Sequence, residues 1–501
     1  MSTLISSDLN LCPRSLVTHD GAEYALAQTT AGARLAILAD PDSLALADFD
    51  GKRSELGGRT LILCPLNAKN AAALRTHLTW LLPRLIGLKT SAGLGDRLGL
   101  ATPGHVRAVR AKQGKIAPIF AQQSIREMAR TGRTPQQVMD DALWGIFAEG
   151  WQDGFGADAD HLKTAEDIDA CLAAGFTFFT IDPGAHVNNR AETASLSVLR
   201  ELAEALPVEV QPRHSGLLGK GFDIEGLWLT FNEATLLKAA VKYGQAIAHV
   251  AAMYRHLGQA AGPRPFELEV SVDETDQPTS HAEHLYIASE LKRLGVKWVS
   301  LAPRYVGRFE KGVDFIGDLA AFEADFAGHA AIARQFGPYK LSLHSGSDKF
   351  SIYPIASRLS RGLVHLKTAG TSYLEALRTI AVLDVDLFRE IYVFARERYE
   401  TDKASYHVSA KLGRAPLPES VTDWPGLLDQ FDARQILHVT FGSVLTEKTA
   451  AGQKRFHDRL FAVLNSNPET YAANLEKHFI RHLKPFIVPD QSAFSNADHV
   501  R

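Results

Sequence analysis

The chain has 501 residues, 46% hydrophobic and 22% charged, with a formal net charge of −3. That length predicts roughly two to four domains with ample buried core, and the near-neutral balance excludes broad electrostatic attraction to nucleic acid or an anionic membrane. The three cysteines, Cys12, Cys64 and Cys171, stand far apart, which predicts free thiols in a reducing cytoplasm. The start, "MSTLISSDLNLCPR", lacks the basic and apolar regions of a secretory signal. No window approaches the roughly 18 uninterrupted apolar residues of a membrane helix.

In chain order, residues 1–90 read as a small α/β cap. "RLAILAD" and "TLILCPL" are its predicted strands, and "NAAALRTHLTWLLPRLIGL" its predicted helix. Over 91–370 the rhythm becomes strand, polar Gly-containing loop, helix. The predicted strands are "DRLGLATPG" (96–104), "KIAPIFAQQS" (115–124), "GFGADADH" (154–161), "FTFFTIDPG" (176–184), "FELEVSVDE" (266–274), "KWVSLAPR" (297–304), "YKLSLHSG" (339–346) and "LVHLKTAG" (363–370). Eight strands alternating with helices over this length predict an α/β fold, a TIM (β/α)8 barrel. The competing doubly wound sheet lacks a GxGxxG turn. Residues 183–265 form an insertion after the fourth strand that could serve as a lid. Residues 371–501 read as a helical C-terminal extension packed on the barrel.

A barrel places its chemistry at the C-terminal ends of the strands. The predicted strand ends carry Asp160 and His161, Asp182, Asp273 and Glu274, Arg304, His344 and Lys367. In "GFGADADHLKT" the following helix already has a cap, because Thr164 and Asp167 form a capping box, so the acids are free for another role. Oxygen and imidazole donors from several strands suit a divalent Zn, Mn, Fe, Co or Ni ion. The predicted ligands are His161, Asp273 and His344. Glu267, Glu269, Ser271 and Asp273 share one face of the fifth strand by alternation, and inward acids need a cation or a proton. A salt-bridged polar layer with Arg or Lys is the alternative. In "SHAEH" (280–284) Ser280 and Glu283 form a capping box, which predicts a solvated first helical turn for His281 and His284 rather than a metal site. His365, in mid-strand, reads as a barrel-interior histidine.

Anion handling is predicted at three places. Lys349 follows His344 in "HSGSDKFSIY". Lys367 precedes "TAGTSYLEALR", a Gly-containing loop opening a helix where barrels often bind phosphate or carboxylate, or where Thr371 or Ser372 is simply an N-cap. Arg97 in "GLGDRLG" either clamps a carboxylate or pairs with Asp96.

The phrases "AGLGDRLGLATPGH", "FGADADHLKT", "FTFFTIDPGAHVNN", "EVSVDETDQPTSHAEHLYIASEL", "LAPRYVGRFEKGVDFIGD" and "KLSLHSGSDKFSIYP" resemble the tagaturonate epimerase family across most of the barrel. The resemblance implies a cytoplasmic, metal-dependent interconversion of D-tagaturonate and D-fructuronate, a small-molecule hexuronate substrate, and no nucleic-acid or membrane partner; a homo-oligomer is compatible with it. The two sugars differ at a carbon β to the ketone, so retro-aldol cleavage and re-closure is the expected chemistry. It needs a Lewis acid and proton exchange at the β-hydroxyl. Asp160 and Glu269 are the expected proton-transfer residues, and Arg97, Arg304, Lys349 and Lys367 the expected substrate-binding ones. The alternatives are a class II-type aldolase, a metal-free enzyme with Lys367 as Schiff-base nucleophile, and a non-catalytic sugar-acid-binding protein.

Overall fold

The structure, a computed structural model, describes residues 4–5, 8–30, 32–112 and 115–487. Parts of the expected cap (residues 1–3, 6–7 and 31) and of the extension (488–501) lie outside these.

The centre is a closed barrel of eight parallel strands. In chain order they are β1 (Ser91–Gly93), β2 (Ala117–Ser124), β3 (Gly156–Leu162), β4 (Phe178–Ile181), β5 (Glu267–Val272), β6 (Ser300–Pro303), β7 (Lys340–Leu343) and β8 (Val364–Lys367). Each pairs in parallel with the next, and β8 closes on β1. Parallel neighbours need a crossover, and every crossover here carries at least one helix. β3 overruns its predicted segment by one residue, Leu162, and six strands fall inside theirs. The first does not: "DRLGLATPG" contains no strand, because Asp96 takes the backbone N–H groups of Leu98, Gly99 and Ala101 and the helix Thr102–Arg110 follows. The short "SAG" before it is β1.

The cap folds as a six-stranded antiparallel sheet, in which the two predicted strands appear as Gly32–Ala39 and Arg59–Cys64 and pair with each other. Its predicted long helix covers only Ala68–His77, followed by the 3-10 turn Thr79–Leu81. Pro83 cannot continue the helical hydrogen bonding. The chain then crosses the N-terminal end of the barrel, where Glu267 accepts from the N–H groups of Ile86 and Gly87.

Residues 183–265 comprise the helix Leu196–Glu204, the hairpin Gly221–Ile224 with Leu227–Thr230, and the 29-residue helix Glu233–Ala261. The long helix packs between the helices that follow β3 and β5. Its buried Lys242 pairs with Glu192 at 2.5 Å and Glu283 at 3.2 Å. In the extension, Pro468–Leu483 lies on Thr102–Arg110. The approach requires Gly104, since a Cβ there would meet Leu475 Cβ at 2.5 Å. Arg107 fixes the same contact with two bonds to Glu469. All three cysteines are free. No described helix is long and apolar enough to cross a membrane.

Candidate active site and metal centre

The C-terminal barrel mouth opens into a cavity of about 530 Å³, within the size range of small-ligand pockets. Strand ends supply Asp160, His161, Asp273, His344 and Lys367 to its lining. The segment 303–311 after β6 and Tyr406 with His407 of the extension form further walls. None of the lining residues comes from 183–265.

Asp160 and His161 both reach this cavity although strand alternation sends neighbours to opposite faces. The backbone explains it. His161 has φ +53°, and the β3–β4 register shifts beside it. A left-handed non-glycine residue is uncommon and persists where the surroundings enforce it. Here it turns His161 into the mouth beside Asp160. Ser345, directly after His344, is likewise left-handed at φ +48°.

His161, Asp273 and His344 each offer a ligand atom within 4.8 Å of the others'. These are the three predicted ligands. Asp160 Oδ1 meets His161 Nδ1 at 2.7 Å, which leaves Nε2 as the nitrogen for a cation. Glu269 Oε1 meets His344 Nε2 at 2.7 Å, while His344 Nδ1 stands 3.2 Å from Asp273 Oδ1. Both imidazoles are thus gripped from behind by a carboxylate, the arrangement that orients metal-ligating histidines. Without a cation, burial lowers the affinity of His344 for a proton, but Asp273 and Glu269 outweigh it and push its pKa to about 10. That demand for positive charge, met by two nitrogens and an oxygen, fits a borderline divalent ion.

Beneath the histidines lies a buried charge cluster centred on Lys367. Its Nζ is 2.6 Å from Asp160, 2.9 Å from Asp158, 2.8 Å from Glu269 and 2.6 Å from Thr180 Oγ1. Burial would strip its proton, yet the three carboxylates hold its pKa well above the ordinary value. The three carboxylates thus favour its ammonium form, which works against a Schiff-base nucleophile at this position. Burial also pushes Asp158 up to about 7, against the pull of Lys367. Glu267 to Asp273 share the inner face as expected: Glu267 at the barrel floor, Glu269 in the middle, Asp273 at the mouth. Glu269 is fully buried and does not line the cavity. His365 sits inside the barrel, with Nδ1 2.9 Å from Ser91 Oγ.

The expected anion clamp is rearranged. Arg97 is buried and pairs with Glu127 at 2.6 Å, not with Asp96, away from the cavity lining. Lys349 is also buried, and its Nζ donates to the carbonyls of Glu310, Val313 and Ser347. It braces the 303–311 wall and does not line the cavity. Neither Thr371 nor Ser372 caps the helix Thr371–Leu383; left-handed Gly370 does so without a side chain. Arg304 lines the cavity and donates to the Thr275 carbonyl. The sequence reading missed Lys311, Arg126, Arg308, Tyr406 and His407, all cavity-lining. Lys311 Nζ bonds Ser345 Oγ at 2.7 Å, and Arg126 and Arg308 make only loose contacts of 3.7 Å with acids. Their charges remain available for a ligand. "YVGRFEK" (305–311) held the one available signal, a basic pair directly beyond a strand end.

The fold is thus a (β/α)8 barrel that brings two histidines and a carboxylate together beside basic side chains at its C-terminal mouth. The chain matches the tagaturonate epimerase family (UxaE) over residues 12–486 and belongs to it, a family of isomerases. It is 44% identical over 466 residues to the tagaturonate/fructuronate epimerase of Thermotoga maritima, covering 93% of this chain and 94% of that one. A crystal structure of the fructuronate-tagaturonate epimerase of Cohnella laeviribosi in complex with glycerol is 38% identical, covers 96% of this chain and 97% of that one, and superposes with a TM-score of 0.90. Its native form is similar at 39% identity over the same shares, also with a TM-score of 0.90.

Proposed function

We propose that this protein interconverts D-tagaturonate and D-fructuronate, using a divalent cation held by His161, Asp273 and His344. The observation that carries the reading is the convergence of those residues, from β3, β5 and β7, on a cavity that also bears Lys311, Arg126 and Arg308. The names of the similar epimerases support the substrate pair.

When bound, the cation supplies Lewis acidity for a ketone and its neighbouring hydroxyl. The protein's own groups do the rest. Asp160, at the cavity surface, takes the proton of the β-hydroxyl. The oxygen becomes an aldehyde as the bond between the α and β carbons breaks, and that electron pair stays on the three-carbon fragment as an enediolate. The aldehyde half turns over, the same pair re-forms the bond on its other face, and Asp160 or a neighbour returns the proton. Lys367 holds Asp160 ionised and in place. In this reading Glu269 positions His344 rather than touching substrate. The walls formed by 303–311 and 406–407 retain both halves during rotation.

Lys311, with Arg126 and Arg308, holds the substrate carboxylate. Lys311→Met is expected to raise KM about tenfold to a hundredfold, the worth of a charge-assisted hydrogen bond of about 1.5–3 kcal/mol, with a smaller change in kcat; steady-state kinetics check it. The mechanism is tested by running the reaction in D2O and following it by NMR. Inversion without carbon-bound deuterium at the β carbon supports bond cleavage and re-closure, and deuterium there overturns it. Accumulating three-carbon fragments would make the enzyme an aldolase.

A further inference from the structure

We infer a second divalent-metal site, made by His281, Asp325 and His329 on the outside of the barrel and independent of the mouth. His281 opens the helix His281–Arg293, and Asp325 and His329 stand one turn apart on Leu319–Phe336. One ligand atom of each lies within 4.8 Å of the others'. His329 Nε2 is 3.5 Å and His281 Nε2 3.7 Å from Asp325 Oδ1. Ligands about 2.0–2.1 Å from a tetrahedral ion are about 3.3–3.4 Å apart, so both histidine–Asp325 distances are within a few tenths of an ångström of that spacing.

The capping box of Ser280 and Glu283 forms as expected, but the turn it starts is not solvated. His284 is fully buried and His281 half-buried. His284 Nδ1 lies 2.8 Å from His329 Nδ1, and His284 Nε2 lies 2.7 Å from the Tyr339 hydroxyl. Two imidazole nitrogens can bond only when one carries the proton and the other does not. With that proton on His329, its Nε2 is left as a lone pair. This nitrogen is buried and faces Asp325 Oδ1 at 3.5 Å, longer than a well-formed hydrogen bond, in a side chain with 0% exposure.

The other two ligands are prepared as well. The Val306 N–H holds Asp325 Oδ2 at 3.0 Å and leaves Oδ1 to face the histidines. His281 Nε2 donates to the Asp325 carbonyl at 2.9 Å. An ion would take that nitrogen once its proton moves to Nδ1. The ring fits there because residue 328 is glycine: a Cβ at Gly328 would meet His281 Nε2 at 2.4 Å. His281, 23% exposed, gives an entry path. Two imidazoles and one carboxylate select Zn²⁺, Co²⁺ or Ni²⁺ over Mg²⁺ or Ca²⁺. The cluster of Asp348, His478 and His482 is no rival, because His482 Nε2 already accepts the Asp348 N–H and Arg434 neutralises the carboxylate. Since Asp325 anchors Val306 and Tyr305 packs on the His329 ring, an ion here would stiffen the 303–311 wall.

The test is zinc binding by metal-stripped protein in which His161→Ala and His344→Ala remove the mouth site, read by isothermal titration calorimetry. This variant is expected to keep one zinc and to lose it when His281→Ala is added. Crystals equilibrated with zinc are expected to show an anomalous peak between the three side chains. No zinc bound by the mouth-site variant, binding that survives His281→Ala, or crystals without that peak would overturn the proposal. His329→Ala would add to the test but risks the fold; His281→Ala, at the half-exposed edge, carries it alone.

Discussion

Replacing His344 with alanine is expected to lower kcat/KM about a thousandfold, since a Lewis acid contributes several kcal/mol to such a reaction. The ring is gripped on one side by Glu269 and faces Asp273 on the other. Its loss removes one of the three proposed cation donors and leaves Glu269 Oε1 with fewer partners. An unsatisfied buried acceptor costs about 1–3 kcal/mol of stability, so the variant should still fold. Activity and thermal unfolding measured on one preparation separate the two effects. A variant that melts normally and retains activity would remove His344 from the site.

Lys367→Met should produce the largest stability loss in the barrel. It withdraws the ammonium from Asp158, Asp160 and Glu269, all buried together. Breaking a buried charge pair costs about 3–5 kcal/mol. The loss should depend on pH in a definite sense. Asp158 already has a folded pKa of about 7, above the ordinary 3.8, because burial outweighs Lys367, and removing Lys367 raises it further. A group with a raised folded pKa binds more protons in the native state, so stability is retained below the ordinary value and falls as pH rises through the folded one. Denaturant unfolding of the variant is therefore expected to weaken from about pH 4 to pH 7 and beyond. Stability that rises across that window would contradict the assignment of Lys367 as the counter-ion.

The barrel was legible because seven strands end in a polar group followed by a helical period, a switch that local sequence carries. β1 was not, since "SAG" is too short and too small to signal a strand, while the alternation in "DRLGLATPG" is spent on backbone bonds to Asp96. The convergence of His161, Asp273 and His344, the proposed cation donors, could be read from their places at strand ends. What brings Asp160 and His161 onto one side, a left-handed residue inside a strand, leaves no sequence mark. Arg97 and Lys349 were misplaced because their partners are remote in the chain: Glu127, and carbonyls on the far side of β7. The same distance hid Tyr406 and His407, which only the folded extension brings to the cavity. Local pattern thus placed the polar groups that sit on the scaffold at the barrel mouth, and long-range packing decided which cations line the cavity.

The most direct test is a proton NMR time course of purified protein with D-tagaturonate, taken as isolated, after chelation, and after adding back Mn²⁺, Zn²⁺, Co²⁺ or Ni²⁺, with His344→Ala in parallel. D-fructuronate should form only with metal, without released fragments, and the variant should stay inactive at every metal concentration. Full turnover after complete chelation, or a His344→Ala protein as active as the native one, would contradict a metal-dependent site at His161, Asp273 and His344.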